Sequence, residues 1–168
     1  MRRDGAGQRW ESIEPDSIRK HDHDQLRTGT APLEQTFERS GEKPFTVRLT
    51  FLSSRPMLAR VLANTFWLVH QDHLRKLSVI TCAHCLRLFI RFLDYRRKGQ
   101  PDIASASQLC ADVLKEMAVW LIVERRFKRK TAAHTLSICC WFLRHAKRLY
   151  PKEFDLAFFT PAHLFPNA

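Results

Sequence analysis

Ser78-Val-Ile-Thr-Cys-Ala-His-Cys-Leu-Arg-Leu-Phe-Ile-Arg-Phe-Leu-Asp-Tyr-Arg-Arg-Lys98 runs for 21 residues without a glycine or proline. Val79, Cys82, Leu86, Phe89, Ile90 and Leu93 recur at three- and four-residue intervals, while His84, Arg87, Arg91 and Asp94 fall elsewhere. That is the period of an amphipathic helix with one face buried. Gly99-Gln-Pro101 ends it, because proline withholds a backbone donor and glycine tolerates the turn. A long helix with a wide apolar stripe needs partners of its own kind, and the flanking sequence supplies them.

Upstream, Leu58, Val61, Leu62, Thr65, Phe66 and Val69 keep the helical interval. They predict a helix from Met57 to about Leu74, with Ser54 as its cap and Pro56 in the first turn. Downstream, Leu109, Val113, Met117, Trp120 and Leu121 predict a third helix from about Ser107 to Arg126, capped by Ser105 or Ser107. A fourth starts near Thr131, a plausible N-cap, buries Leu136, Cys139, Leu143, Ala146 and Tyr150, and stops at Pro151. The fold class is all-α, a bundle of about four helices with short connections. Trp67, Trp120 and Trp141 fall on or near the apolar stripes and are read as core residues.

Residues 1–56 lack this periodicity. Gly5, Gly7, Pro15, Gly29, Pro32, Gly41 and Pro44 interrupt every helical stretch, so the segment is expected to be a poorly ordered arm, with Trp10 exposed or bound to a partner. Within it Phe45-Thr-Val-Arg-Leu-Thr-Phe51 alternates apolar and polar residues. This is a candidate strand with no evident sheet to join, left either to pair with a partner or to stand simply extended. The helical unit is taken as 57–155, and 156–168 as a linker-like tail.

Charge is concentrated in the helical unit. From Arg75 to Tyr150 there are 16 Lys/Arg against 5 Asp/Glu, whereas residues 1–74 hold 11 against 10 and the remainder 1 against 2. Cations gathered on a folded unit are the footprint of a protein that neutralises phosphates. The plain alternative is a soluble, basic helical domain. No stretch approaches the roughly 18 apolar residues of a membrane span, and no export signal is evident, so a cytoplasmic protein, nucleoid-associated when on DNA, is expected. Five cysteines without an export signal argue for reduced thiols.

Three features in order along the chain carry a resemblance. Ser78-Val-Ile-Thr81 opens a helix containing Leu86-Arg-Leu-Phe-Ile-Arg-Phe-Leu-Asp94; Ile103-Ala-Ser-Ala-Ser107 leads into a helix with Asp112-Val-Leu114 and Trp120-Leu121; Lys130-Thr131 starts a helix with Ser137 and Trp141-Phe-Leu-Arg144 that finishes Leu149-Tyr-Pro151. Their order and spacing, from Ser78 to Phe154, resemble the N-terminal core-binding domain of the tyrosine recombinase, or phage integrase, family. The resemblance implies a SAM-like orthogonal bundle that packs over one face of duplex DNA, while a separate C-terminal domain performs the chemistry. It also implies contacts with other recombinase protomers. Phe159-Thr-Pro-Ala-His-Leu-Phe-Pro-Asn167 looks like the linker to that second domain, so the chain is expected to be a fragment or a truncated product.

Recombinase chemistry needs a tyrosine nucleophile with arginines and a His-x-x-Arg pair around the developing charge. Two such pairs occur, His84/Arg87 and His145/Arg148, but with 8 His and 19 Arg in the chain they arise readily by chance. Both fall inside bundle helices, so no catalytic residue is assigned and no enzymatic activity is expected. Cys82-Ala-His-Cys85 with His134, Cys139 and Cys140 raises the question of zinc. Cys82 continues the buried stripe of Leu86 and Phe89, and adjacent Cys139 and Cys140 point different ways on a helix, so no metal or other cofactor is expected.

The DNA contacts are placed on Arg125, Arg126, Lys128, Arg129 and Lys130, five cations in six positions beside a helix N-terminus, with the Thr131 hydroxyl and His134. Arg87 and Arg91 form a second candidate patch, and Arg144, Lys147 and Arg148 a third. The resulting reading is a domain that holds double-stranded DNA by phosphate contacts in DNA integration and recombination. Its rivals are a helix-turn-helix regulator turning at Phe127–Lys130, a basic helical module for an acidic protein partner, and a zinc-stabilised helical protein.

Overall fold

The computed structural model describes residues 29–38, 41–71 and 76–154. Two short strands open it: β1 (Glu34–Phe37) and β2 (Phe45–Arg48). They pair antiparallel with Glu34 opposite Arg48 and Phe37 opposite Phe45. The pleat sends Gln35, Phe37, Phe45 and Val47 inward and leaves Glu34, Thr36, Thr46 and Arg48 outside, as a period of two requires. Phe37 and Phe45 stack at 5.7 Å on the inner face. On the outer face the Thr36 and Thr46 hydroxyls share a 2.9 Å hydrogen bond.

A 3-10 turn, Thr50–Leu52, leads into four helices: α1 (Pro56–His70), α2 (Lys76–Arg96), α3 (Ala111–Val123) and α4 (Arg129–Leu149). Pro56 occupies the first helical position of α1, where its missing donor costs nothing. The helices share one core. Phe66 of α1 meets Phe142 of α4 at 6.1 Å, and Phe92 of α2 meets Trp120 of α3 at 5.7 Å. Trp120 and Trp141 are buried, and Trp67 packs half-buried against Phe37 at 5.6 Å. The helical bundle read from the periodicity is the fold of the described residues. None of its helices is long and apolar enough to cross a membrane.

The arm expected over 1–56 is corrected for the part that is described. Ala31, Phe37, Phe45, Val47, Leu49 and Leu52 are core residues, so residues 29–38 and 41–55 belong to the folded unit. The candidate strand is Phe45–Arg48, shorter than 45–51, and its partner lies in this same chain. What holds the segment in place is hydrogen bonding to α1. Buried Asn64 accepts from the Ala31 N–H at 2.6 Å and donates to the Gly29 carbonyl at 3.0 Å and the Tyr150 hydroxyl at 3.1 Å. Gln35 Nε2 donates to the Ala63 carbonyl at 3.0 Å. Residues 1–28, with Trp10, and the tail from 155 onward lie outside the described residues.

Helix ends differ from expectation: α1 stops at His70, short of Leu74, and α3 at Val123, short of Arg126, where the chain turns. Arg55, not Ser54, is the N-cap of α1, and no side chain caps it. The helix read as 78–98 spans Lys76–Arg96. The helix read from Ser107 is two elements, because Leu109 is extended: a 3-10 turn, Ala106–Gln108, closed by a Ser105/Gln108 capping box, and then α3 from Ala111. Finally, α4 begins at Arg129, so Thr131 lies in its first turn and is not the cap.

Candidate nucleic-acid interface

The connection from α3 to α4 is short and closed by the backbone. Trp120 carbonyl accepts from the Glu124 N–H at 2.9 Å and the Arg125 N–H at 3.1 Å, and Leu121 carbonyl accepts from the Phe127 N–H at 2.9 Å. Between them Arg126 stands in the left-handed region, φ 57°, which lets the chain reverse in a single residue. Phe127 packs half-buried against the core and anchors the loop. Arg125, Arg126, Lys128, Arg129 and Lys130 are left exposed on either side of that anchor. Ordering of the backbone here comes from core packing, so the cations are held on a fixed turn.

The start of α4 carries charge of the same sign as the positive end of its own dipole. Lys128 is the N-cap and makes no side-chain capping bond, the first turn contains no acidic residue, and Arg129 and Lys130 open the helix. The N-terminal N–H groups of a helix have no acceptor within it and carry the positive end of its dipole. Stability alone favours aspartate, glutamate or a serine cap there, each position contributing about 0.3–1 kcal/mol. Cations stand in their place. Thr131 and His134 are exposed on the first two turns of the same helix, extending the polar face away from the connection.

The remaining expected contacts stand apart. Arg148 follows Arg129 by 19 residues, about 28 Å along the helix axis. There Arg144 and Lys147 are half-buried and Arg148 exposed. Lys147 and Arg148 occupy the last turn of α4, where a cation is favourable to the dipole without any ligand. Arg87 of α2 lays its guanidinium over the Phe51 ring, 5.3 Å from the centroid, and Arg91 is exposed one turn on. Thus Arg125, Arg126, Lys128, Arg129, Lys130, Thr131 and His134 follow one another along the connection and the start of α4, and the patch at 144/147/148 lies at the far end of that helix.

A feature the periodicity did not reveal adjoins the connection. The end of α2 and the outer face of α3 enclose a groove of about 630 Å³, lined in part by Tyr95, Lys98, Val119, Trp120, Val123 and Glu124. Arg125 holds its guanidinium 5.7 Å from the Trp120 ring centroid, so the first cation of the connection rests on a wall of the groove. Arg96, the last residue of α2, and Lys98 just beyond it also line the groove. Arg96 is engaged by Glu116 at 3.1 Å, and Arg97 lies 3.9 Å from Asp94.

Cys82, Cys85, Cys139 and Cys140 are buried while His134 is exposed, and Cys139 Sγ donates to the Cys85 carbonyl at 3.5 Å. Burial pushes Cys85 up to about 12 and Cys140 to about 11, and raises Cys82 and Cys139 well above the ordinary thiol range. Among the described residues no group of three or more His, Cys, Asp or Glu is arranged to hold a metal ion. Of the two His-x-x-Arg strings, His84 and Arg87 are exposed on α2, whereas His145 is buried against Trp141 with ring centroids 4.8 Å apart. Searches of family models, curated proteins and solved structures return no match to this chain.

Proposed function

We propose that this chain binds double-stranded DNA through the Arg125–Lys130 connection and the start of α4, as the core-binding domain of a site-specific recombinase whose chemistry resides in a separate domain. The observation that carries DNA binding is the cationic, uncapped start of α4: five cations on a turn anchored by Phe127, at the end of a helix where stability favours the opposite charge. The recombinase assignment rests on the resemblance of residues 78–154. The mechanism is non-covalent. Lys and Arg neutralise backbone phosphates and release counterions, and helix N–H groups complete the phosphate contacts.

Duplex binding measured by fluorescence anisotropy across a salt series, with heparin and an acidic protein as controls, tests the DNA reading. A log–log slope of several units, at about −0.9 per phosphate neutralised, with duplex preferred over both controls, is the expected result. Equal binding of every polyanion rejects it in favour of a protein-interaction module. Placement of a separately supplied catalytic domain on a recombination site tests the narrower assignment, and failure of such complementation counts against it.

A further inference from the structure

We propose that the groove between the end of α2 and α3 seats an unpaired nucleobase belonging to the strand whose phosphates lie on the Arg125–Lys130 connection. This rests on the nucleic-acid reading above and adds a second ligand chemistry to it. Large apolar side chains are seldom left exposed together, and a cluster of them marks an interaction surface. Tyr95, Val119 and Val123 are 44%, 61% and 60% exposed, three of the five exposed large hydrophobics among the described residues, and all three line this groove. The Tyr95 ring lies 6.2 Å from that of Trp120, which lies 5.7 Å from Phe92, so a row of aromatic rings runs from the core and ends at a half-exposed tyrosine. Such an end is a stacking platform for a flat π-face.

Charge selects the occupant. Lys98 lines the groove, and Arg125 rests on the ring of Trp120, another lining residue. Glu116 is already engaged by Arg96 at 3.1 Å and by Gln100 at 2.9 Å. With Arg96 and Glu116 paired, Lys98 and the adjoining Arg125 face the single carboxylate of Glu124. A nucleotide presents an apolar face to Tyr95 and the two valines and its phosphates to the two cations. Its exocyclic amino groups then meet the Glu124 carboxylate on the rim.

The test compares two oligonucleotides with equal numbers of phosphates, an oligo-dC and the corresponding abasic strand, together with a blunt duplex, all by anisotropy at fixed salt. The native protein is expected to bind the base-bearing strand about tenfold more tightly than the abasic one. Tyr95→Ala and Val119→Ser, both charge-neutral changes at exposed positions, should each reduce that preference to about unity while leaving blunt-duplex affinity unchanged. Equal affinity of the native protein for the two strands overturns the base seat and leaves phosphate binding standing. No measurable binding of any nucleic acid overturns both readings. Sedimentation showing a dimer that Val119→Ser dissociates assigns the groove to a second copy and overturns the proposal.

Discussion

The Arg55 guanidinium is buried and donates from Nη1 to Asp94 Oδ1 at 2.6 Å, tying the start of α1 to the last turns of α2. Its Nη2 reaches Asp102 at 2.9 Å and its Nε the Ile103 carbonyl at 3.0 Å, so one side chain fixes the chain at three places on either side of Gly99. Desolvation disfavours the buried charge, and the two carboxylates more than offset it, holding the guanidinium above its ordinary value.

Arg55→Met should destabilise by about 1–3 kcal/mol, since an apolar side chain of similar length replaces the arginine and the two half-exposed carboxylates return to water. Converting both Asp94 and Asp102 to Asn should cost more, about 3–5 kcal/mol, because it strands the buried charge. Urea denaturation of the variants decides the order. If the double Asn variant is the more stable of the two, Arg55 is not carrying an uncompensated charge when its partners are removed.

This cluster also shows where the sequence stops being legible. The four helices announce themselves through local apolar spacing, a property of each segment alone. Arg55 reads as an ordinary cation because its partners lie 39 and 47 residues away. β1 was hidden for the same reason: Glu34-Gln-Thr-Phe37 has too little apolar content to declare itself, and its place is set by non-local bonds to Ala63 and Asn64. At the site, the run Arg125–Lys130 was legible as charge. The groove was not, since Tyr95 and Val119 come from different helices and only the packing of α2 on α3 brings them to one surface.

Arg126 adopts a backbone conformation that favours glycine. Arg126→Gly should therefore be more stable than Arg126→Ala by about 1 kcal/mol, both variants having lost the same charge. Both should bind duplex DNA more weakly than the native protein. Thermal denaturation and anisotropy on the pair separate the backbone effect from the charge effect; equal stability of the two variants would mean the left-handed turn stores no strain.

His145 is buried, its Nδ1 has no hydrogen-bond partner among the described residues, and its pKa is lowered to about 4, first by desolvation and then by Arg148 and Arg144. The folded protein thus keeps the imidazole neutral while the unfolded chain protonates it near 6.5. Stability from this group is present above pH 6.5 and is lost as pH falls from there toward 4, a change of about 3 kcal/mol. Urea midpoints measured from pH 8 to pH 4 should fall less steeply for His145→Phe than for the native protein. Parallel curves would place the acid sensitivity elsewhere.

Of the five cysteines, Cys110 is exposed and the other four are buried. Under native conditions iodoacetamide should modify Cys110 alone, the others reacting only through opening of the bundle. Mass spectrometry after a short pulse checks this, and early labelling of Cys139 would show that the interface of α2 with α4 opens readily.

Replacing Arg125, Arg126, Lys128, Arg129 and Lys130 by alanine removes cations from the positive end of the α4 dipole and also the Arg125 contact with Trp120, opposing effects that should leave stability within about 1 kcal/mol of the native protein. The same change should weaken duplex binding and lower the magnitude of the log–log salt slope by up to about 4 units, at roughly 0.9 per lost phosphate contact. The opposite pairing is expected for Arg144, Lys147 and Arg148. Lys147 and Arg148 lie in the last turn of α4, where they favour the dipole, so their loss should lower stability by about 0.3–1 kcal/mol per residue while leaving the salt slope nearly intact. Running both alanine sets through the same salt series and the same denaturation therefore separates a cation kept for a ligand from one kept for the helix. If the two sets reduce the slope equally, the DNA footprint runs the length of α4 and the connection has no special standing in it.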